Sequence, residues 1–222
     1  MAVDNDISFD DLPPEIRNEI YSLTLCSDTP AKIDAERRLT EGLPRRPRVH
    51  VRSRMDKTPH LNATLLRISH GIYAEAAPIL YGANTFSFAS ESTLHTFLKM
   101  IGDSRKYVHR IEIMYIGDSS VLCSALHLLK QAKQLESFEC QPSMLRRLAL
   151  KKNQVKALLP WLKTLQKGAQ GVAGRKGAPE IFTFAEPSST AGGPGPGWDR
   201  HCAEHERLHA EVMALLRQGL GS

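Results

Sequence analysis

Val108-His109-Arg110-Ile111-Glu112-Ile113 is echoed by Leu135-Glu136-Ser137-Phe138-Glu139-Cys140, with Phe138 standing 27 residues beyond Ile111. Both phrases place apolar residues at i, i+3 and i+5, as a leucine-rich pattern does, and the offset falls in that pattern's range of about 20 to 29 residues. The alternation at Ile111, Ile113 and Tyr115, and at Phe138 and Cys140, has the period of a strand with one buried face. A helix precedes each strand. Leu94, Phe97, Leu98 and Ile101 keep i, i+3, i+4, i+7 spacing after the capping residue Ser92, and Gly102 ends the helix. Leu122, Ala125, Leu126 and Leu129 repeat that stripe after Ser119 or Ser120. A third unit is read in a Val155 to Leu165 helix and a strand at Glu180-Ile181-Phe182-Thr183-Phe184, with an insertion between them. A single helix-strand unit cannot bury its own apolar face, so stacking is the natural solution. The competing reading is two coincidental helix-strand pairs.

Towards the N-terminus, a helix is predicted from Asn62 with a stripe at Leu65, Ile68, Ile72 and Ala76. It is disturbed by Pro78 and ended by Gly82. Thr85-Phe86-Ser87-Phe88 alternates as a strand. Earlier still, Leu12-Pro13-Pro14-Glu15-Ile16-Arg17-Asn18-Glu19-Ile20-Tyr21-Ser22-Leu23-Thr24-Leu25 reads as a helix opened by two prolines, with acceptors at Asp10 and Asp11 and an apolar stripe at Ile16, Ile20 and Leu23. On physical grounds alone that stripe fits a helix docked on its own domain. Residues 26–61 lose apolar periodicity and are dense in Arg and Pro, which reads as an exposed connector with one edge strand at Val49-His50-Val51-Arg52.

The pair LPPEIRNEIYSLTL at 12–25 and LLRISHGIYAEAAPILYGANTFSF at 65–88 resembles the F-box-like proteins of ascomycete fungi. Their pattern is an LPxEIRxxIY helix followed by LLxxCxxIYxEAxPILYxxNxFxF. The resemblance covers roughly the first 90 residues. It implies docking on the Skp adaptor of a cullin-RING ubiquitin ligase through Leu12, Pro13, Ile16, Ile20 and Leu23, with lesser support from Leu65, Leu66 and Ile68. The remaining chain would then recruit a protein substrate. Departures from the pattern are the long connector, Ser69 at the usual cysteine, and Tyr73 where ordinary F-boxes carry tryptophan.

Composition is that of a folded chain, 222 residues with 41% apolar and 24% charged side chains. Cys26, Cys123, Cys140 and Cys202 are far apart and form no CxxC pair, so neither a zinc ribbon nor a disulfide framework is indicated. With no apolar run near the roughly 20 residues of a membrane span and an acidic N-terminus unlike a signal peptide, a soluble cytoplasmic or nuclear protein is expected. The net charge of +5 is unevenly spread. Residues 37–57 carry eight bases against two acids, and residues 144–176 carry nine bases and no acid.

The expected fold is α+β or α/β, with F-box-like helices followed by a short leucine-rich-repeat-like array. The expected divisions are an F-box-like region at 1–88, a helix-strand domain at 89–186, a Gly/Pro linker at 187–198 and a C-terminal helix at 199–222. The Gly-rich run 167–177 is not a phosphate loop, because it follows a helix and has Gly177 where a hydroxyl belongs. His201, His205 and His209 share a face of the last helix beside Cys202, yet no second ligand cluster completes a metal site. No catalytic set assembles from local motifs, and no cofactor is indicated. The alternative to an adaptor is a scaffold or a polyanion-binding protein, with nucleic acid held by Arg146, Arg147, Lys151, Lys152 and Lys156.

Overall fold

Each strand in the second half of the chain lands beside the one before it, because a helix of suitable length carries the backbone back along the sheet. The computed structural model describes residues 8–35, 49–51, 63–150, 152–169, 177–185 and 198–221. In order these form α1 (Pro14–Leu25), β1 (Ala31–Ala35), β2 (Val49–Val51), α2 (His70–Ala83), β3 (Thr85–Phe88), α3 (Glu91–Ile101) and β4 (Arg110–Ile113). There follow α4 (Ser119–Leu129), β5 (Ser137–Cys140), α5 (Ser143–Leu150), α6 (Lys152–Ala169), α7 (Ala178–Ile181), β6 (Phe182–Phe184) and α8 (Trp198–Gly221). The strands join in one sheet of order β2-β1-β3-β4-β5-β6. Every neighbouring pair is parallel except β1 with β2. The protein is therefore α/β.

The 27-residue echo is the register itself. Ile111 pairs with Phe138 and Ile113 with Cys140. Strands added one after another with crossovers of one hand place their helices on one face of the sheet. The buried residues agree: Ala31, Phe86, Ile111, Phe138 and Phe182 form one register row and Ile33, Phe88, Ile113, Cys140 and Phe184 another two residues on, and all join one apolar cluster with the helices. α3 packs on α4, α4 on α6, and α6 on α8. The stripes read for α3 (Leu94, Phe97, Leu98, Ile101) and α4 (Leu122, Ala125, Leu126, Leu129) are buried throughout.

Several local expectations need correction. Residues 31–35, read within the connector, are a strand with Ala31 and Ile33 buried. The edge strand expected beside them is β2, paired Ile33 with Val51. The arginine-rich remainder of the connector, the tip of the Gly-rich run (170–176) and the linker at 186–197 lie outside the described residues. The helix read from Asn62 divides into a 3-10 turn, Ala63–Arg67, and α2. The break comes where the Ser69 hydroxyl accepts the Ile72 amide at 3.1 Å and so caps a new helix. Ile68 is thrown outward, 65% exposed. Pro78 is accommodated within α2, and Gly82 does not end it.

The caps of α3 and α4 are Ser90 and Asp118, each starting its helix slightly earlier than expected. Gly102, with φ of +53°, does close α3. Tyr115 lies beyond β4, and Glu180-Ile181 belongs to α7 instead of a strand. α8 exposes Glu204, Glu206, Arg207 and Glu211 but buries Val212, Met213 and Leu216 against the same core. The division expected at residue 88 falls between β3 and α3, inside a sheet that is continuous across it.

Candidate docking site

Helix α1 has two apolar faces. At about 100° per residue, Tyr21 and Leu25 lie on one side, and Ile16, Ile20 and Leu23 lie roughly 150° round the axis. Tyr21 and Leu25 are fully buried. Of the five residues expected to touch an adaptor, Ile16 is 44% and Leu23 74% exposed, Pro13 is exposed, and Leu12 and Ile20 are half-buried, while Tyr21 and Leu25 fasten the helix to the fold. Of the lesser set, Leu65 and Leu66 pack against the core, and only Ile68 faces outward.

The fastening is polar and joins α1 to α2. Arg17 donates from Nε and Nη2 to the two oxygens of Glu75 at 3.0 and 2.8 Å, a fork that fixes both side chains. Its Nη1 reaches back to the carbonyls of Asp10 and Leu12 at 3.1 and 2.8 Å, holding the entry turn Phe9–Asp11 in place. The Tyr21 hydroxyl donates to Glu75 at 3.0 Å. These bonds to Arg17 and then Tyr21 hold the Glu75 carboxyl below the usual carboxylate range. Burial, then the bond to Glu75, pushes the Tyr21 phenol up to about 12.

Asn84 makes a second tie, wholly buried. Its Nδ2 donates to the Leu25 carbonyl at 2.6 Å and the Leu80 carbonyl at 2.8 Å, and its Oδ1 accepts the Ser27 amide at 2.8 Å. The Leu80 carbonyl belongs to the last turn of α2, where intrahelical donors run out. A side-chain amide fills the role that a left-handed glycine would otherwise take. Arg17, Tyr21, Glu75 and Asn84 are all letters of the paired sequence pattern, so much of that pattern encodes the α1–α2 joint. No spacing rule pairs Arg17 with Glu75 across 58 residues, and sequence reasoning missed this joint for that reason.

On the sheet face away from the helices, register aligns Lys32, Ser87, Glu112, Glu139 and Thr183 in one row. Lys32 is exposed, Glu112, Glu139 and Thr183 are half-buried, and Ser87 is buried. Burial, reinforced by Glu139 on the next strand, raises the Glu112 carboxyl above its ordinary value against an opposing bond from Ser87. Ionised Glu112 therefore works against the fold. Its contribution is intact below the unfolded carboxylate pKa of about 4.3 and is lost as pH rises through the folded value. Glu112→Gln is expected to melt above wild type at pH 7, with the gap closing below about pH 4 in a melting series against pH.

The basic candidates are only partly visible. Lys156 is exposed on α6. Arg146 and Arg147 lie on α5 and Lys152 begins α6, but their side chains, and all of Lys151, are outside the described residues. In α8 the rings of His205 and His209 stack at 6.4 Å, and His209 packs edge-on against Phe184. Among the described residues, no three His, Cys, Asp or Glu side chains come together as metal ligands, and no helix is long and apolar enough to cross a membrane.

No curated protein and no solved structure matches the chain. A family model does match, over residues 4–117, which contain α1, α2, both ties between them and the sheet as far as β4. The chain accordingly belongs to the family described as a domain of unknown function, DUF7730.

Proposed function

We propose that this protein is a non-catalytic, F-box-like adaptor. Leu12, Pro13, Ile16, Ile20 and Leu23 dock on the Skp subunit of a cullin-RING ubiquitin ligase, and the sheet beyond α1, built as a leucine-rich-repeat-like array, recruits a protein substrate. The observation that carries this reading is the doubled character of α1. Its fold-facing side is satisfied by Tyr21 and Leu25, which leaves Ile16 and Leu23 as apolar side chains in water. Exposed apolar side chains on the outward side of a well-fastened helix, with half-buried Ile20 between them, support a partner surface.

The test is co-elution of the purified chain with the Skp adaptor at micromolar concentration. Ile16→Asp with Ile20→Asp is expected to weaken association at least about 100-fold, because two carboxylates would enter an apolar interface without partners. Neither residue is fully buried in the free protein, so the double variant should keep its melting transition. Absence of any complex with the wild-type chain would end the ligase role.

A further inference from the structure

Helix α8 turns two histidines towards the fold. His205 and His209 lie one turn apart with their rings parallel to within 8° at 6.4 Å, and His209 meets Phe184 of β6 edge-on at 5.6 Å. At about 100° per residue both lie within roughly 60° of Val212 and Leu216, which α8 buries. The Nε2 atom of His205 is buried and has no hydrogen-bond partner among the described residues. A neutral imidazole can leave that nitrogen as a bare lone pair, whereas an imidazolium must place an N–H there. Protonation of His205 therefore brings a charge and a donor to a spot without an acceptor. The elements packed on α8 do not answer that charge. α5 and α6 carry no acid, only Arg146, Arg147, Lys152, Lys156, Lys163 and Lys167, and the one carboxylate of α7, Glu180, accepts the Gly177 amide at 3.1 Å. β6 has no charged residue. On α8 itself Glu204, Glu206, Arg207 and Glu211 are exposed, and Arg217 adds a further positive charge that acts on His209. The side chains of Asp199, Arg200 and His201 lie outside the described residues.

We infer that the His205–His209 pair makes α8 a pH-sensitive strap, seated on α5, α6 and β6 while both rings are neutral and loosened once they take up protons. Burial first, then His205 and Arg217, holds the His209 imidazole below its ordinary value. A folded value under the unfolded one of about 6.5 fixes the direction of the effect. The contribution is complete above that pH and is lost as pH falls through the folded value, so mild acidification weakens the hold of α8. Loosening uncovers the sides of α5 and α6 that α8 covers. The strap stands apart from the adaptor reading, because no residue of α1 takes part in it.

The test is hydrogen exchange on the full chain at about pH 7.5, 6.5 and 5.5, with rates corrected for the intrinsic pH dependence of amide exchange. Mass spectrometry follows peptides from α8 and from β3, which stands three places from β6 in the sheet. The α8 peptide is expected to lose protection about tenfold between the highest and lowest pH, and to stay less protected than β3 throughout. His205→Gln with His209→Gln keeps polar side chains that do not titrate, and His205→Leu with His209→Phe replaces them with apolar ones. Each pair should flatten the response of α8 to pH, and protection of β3 shows that the variant has folded. Equal α8 protection at all three pH values in the wild-type chain would overturn the strap. So would a folded variant pair that keeps the wild-type drop. Equal protection of α8 and β3 at the lowest pH would overturn it as well, since the whole chain would then be opening together.

Discussion

Asn84→Ala should lower the unfolding free energy by about 4 kcal/mol, among the largest losses available to a single polar substitution. The side chain is fully buried and makes three hydrogen bonds, so truncation strands the Leu25 and Leu80 carbonyls and the Ser27 amide together. Each stranded buried group costs about 1–3 kcal/mol, and a water entering the gap recovers only part. Urea denaturation reads the loss as a midpoint lower by about 2 M at an ordinary slope. Asn84→Asp should fare no better at neutral pH, because an ionised oxygen would then face two carbonyls. A variant that melts like wild type would show that α1 is held to α2 by other means.

Trp161→Ala is the apolar counterpart, with an expected loss of about 3–5 kcal/mol. Trp161 is 1% exposed on α6, and its ring meets Phe138 edge-on at 5.1 Å, while Phe138 stacks on Phe182 at 5.8 Å. Alanine would open a cavity beneath β5 and β6 and remove the aromatic contact as well. Trp161→Phe is the informative control. The indole Nε1 is buried with no hydrogen-bond partner among the described residues, so phenylalanine gives up volume but also removes a polar atom that is costly to bury. Its cost should stay below about 1.5 kcal/mol in the same denaturation experiment. A phenylalanine variant as damaged as the alanine one would mean that the indole nitrogen does have a partner.

The parts of the fold legible in the sequence were those written in local period. The stripes of α3 and α4 and the pairing of Ile111 with Phe138 follow from spacing alone, since a helix or strand face is set within a few residues. β1 was hidden although Ala31-Lys32-Ile33-Asp34-Ala35 alternates, because its flanks are rich in Pro and Arg and alanine is a weak apolar signal. The split of the second helix turned on Ser69, whose hydroxyl favours a cap over continuing the helix. The charges of α8 are concentrated early, which hides from its sequence that Val212, Met213 and Leu216 bury further on.

The candidate docking stripe was legible residue by residue, but its orientation was not. Ile16, Ile20 and Leu23 form as good a core stripe on paper as Tyr21 and Leu25. Only the ties to Glu75 and Asn84, 54 to 59 positions along the chain, decide which side turns inward. The pairing of Glu112 with Glu139 follows from the same 27-residue offset as that of Ile111 with Phe138.

The register offsets also set an order of assembly. β3 to β4 closes a loop of 25 residues from Phe86 to Ile111, and β4 to β5 one of 27, whereas β1 to β3 closes 55 from Ile33 to Phe88. Doubling a loop adds only about 0.6 kcal/mol of closure entropy, but that cost precedes any contact that rewards it, so the short central loops form first. On this loop-length argument α1 and β1 are expected to join after the central strands, held there by Glu75 on α2 and Asn84 at its end. On that order, the outward side of α1 would reach its final orientation only after the centre of the sheet has formed, and a partner of the proposed kind would meet finished molecules in preference to nascent ones.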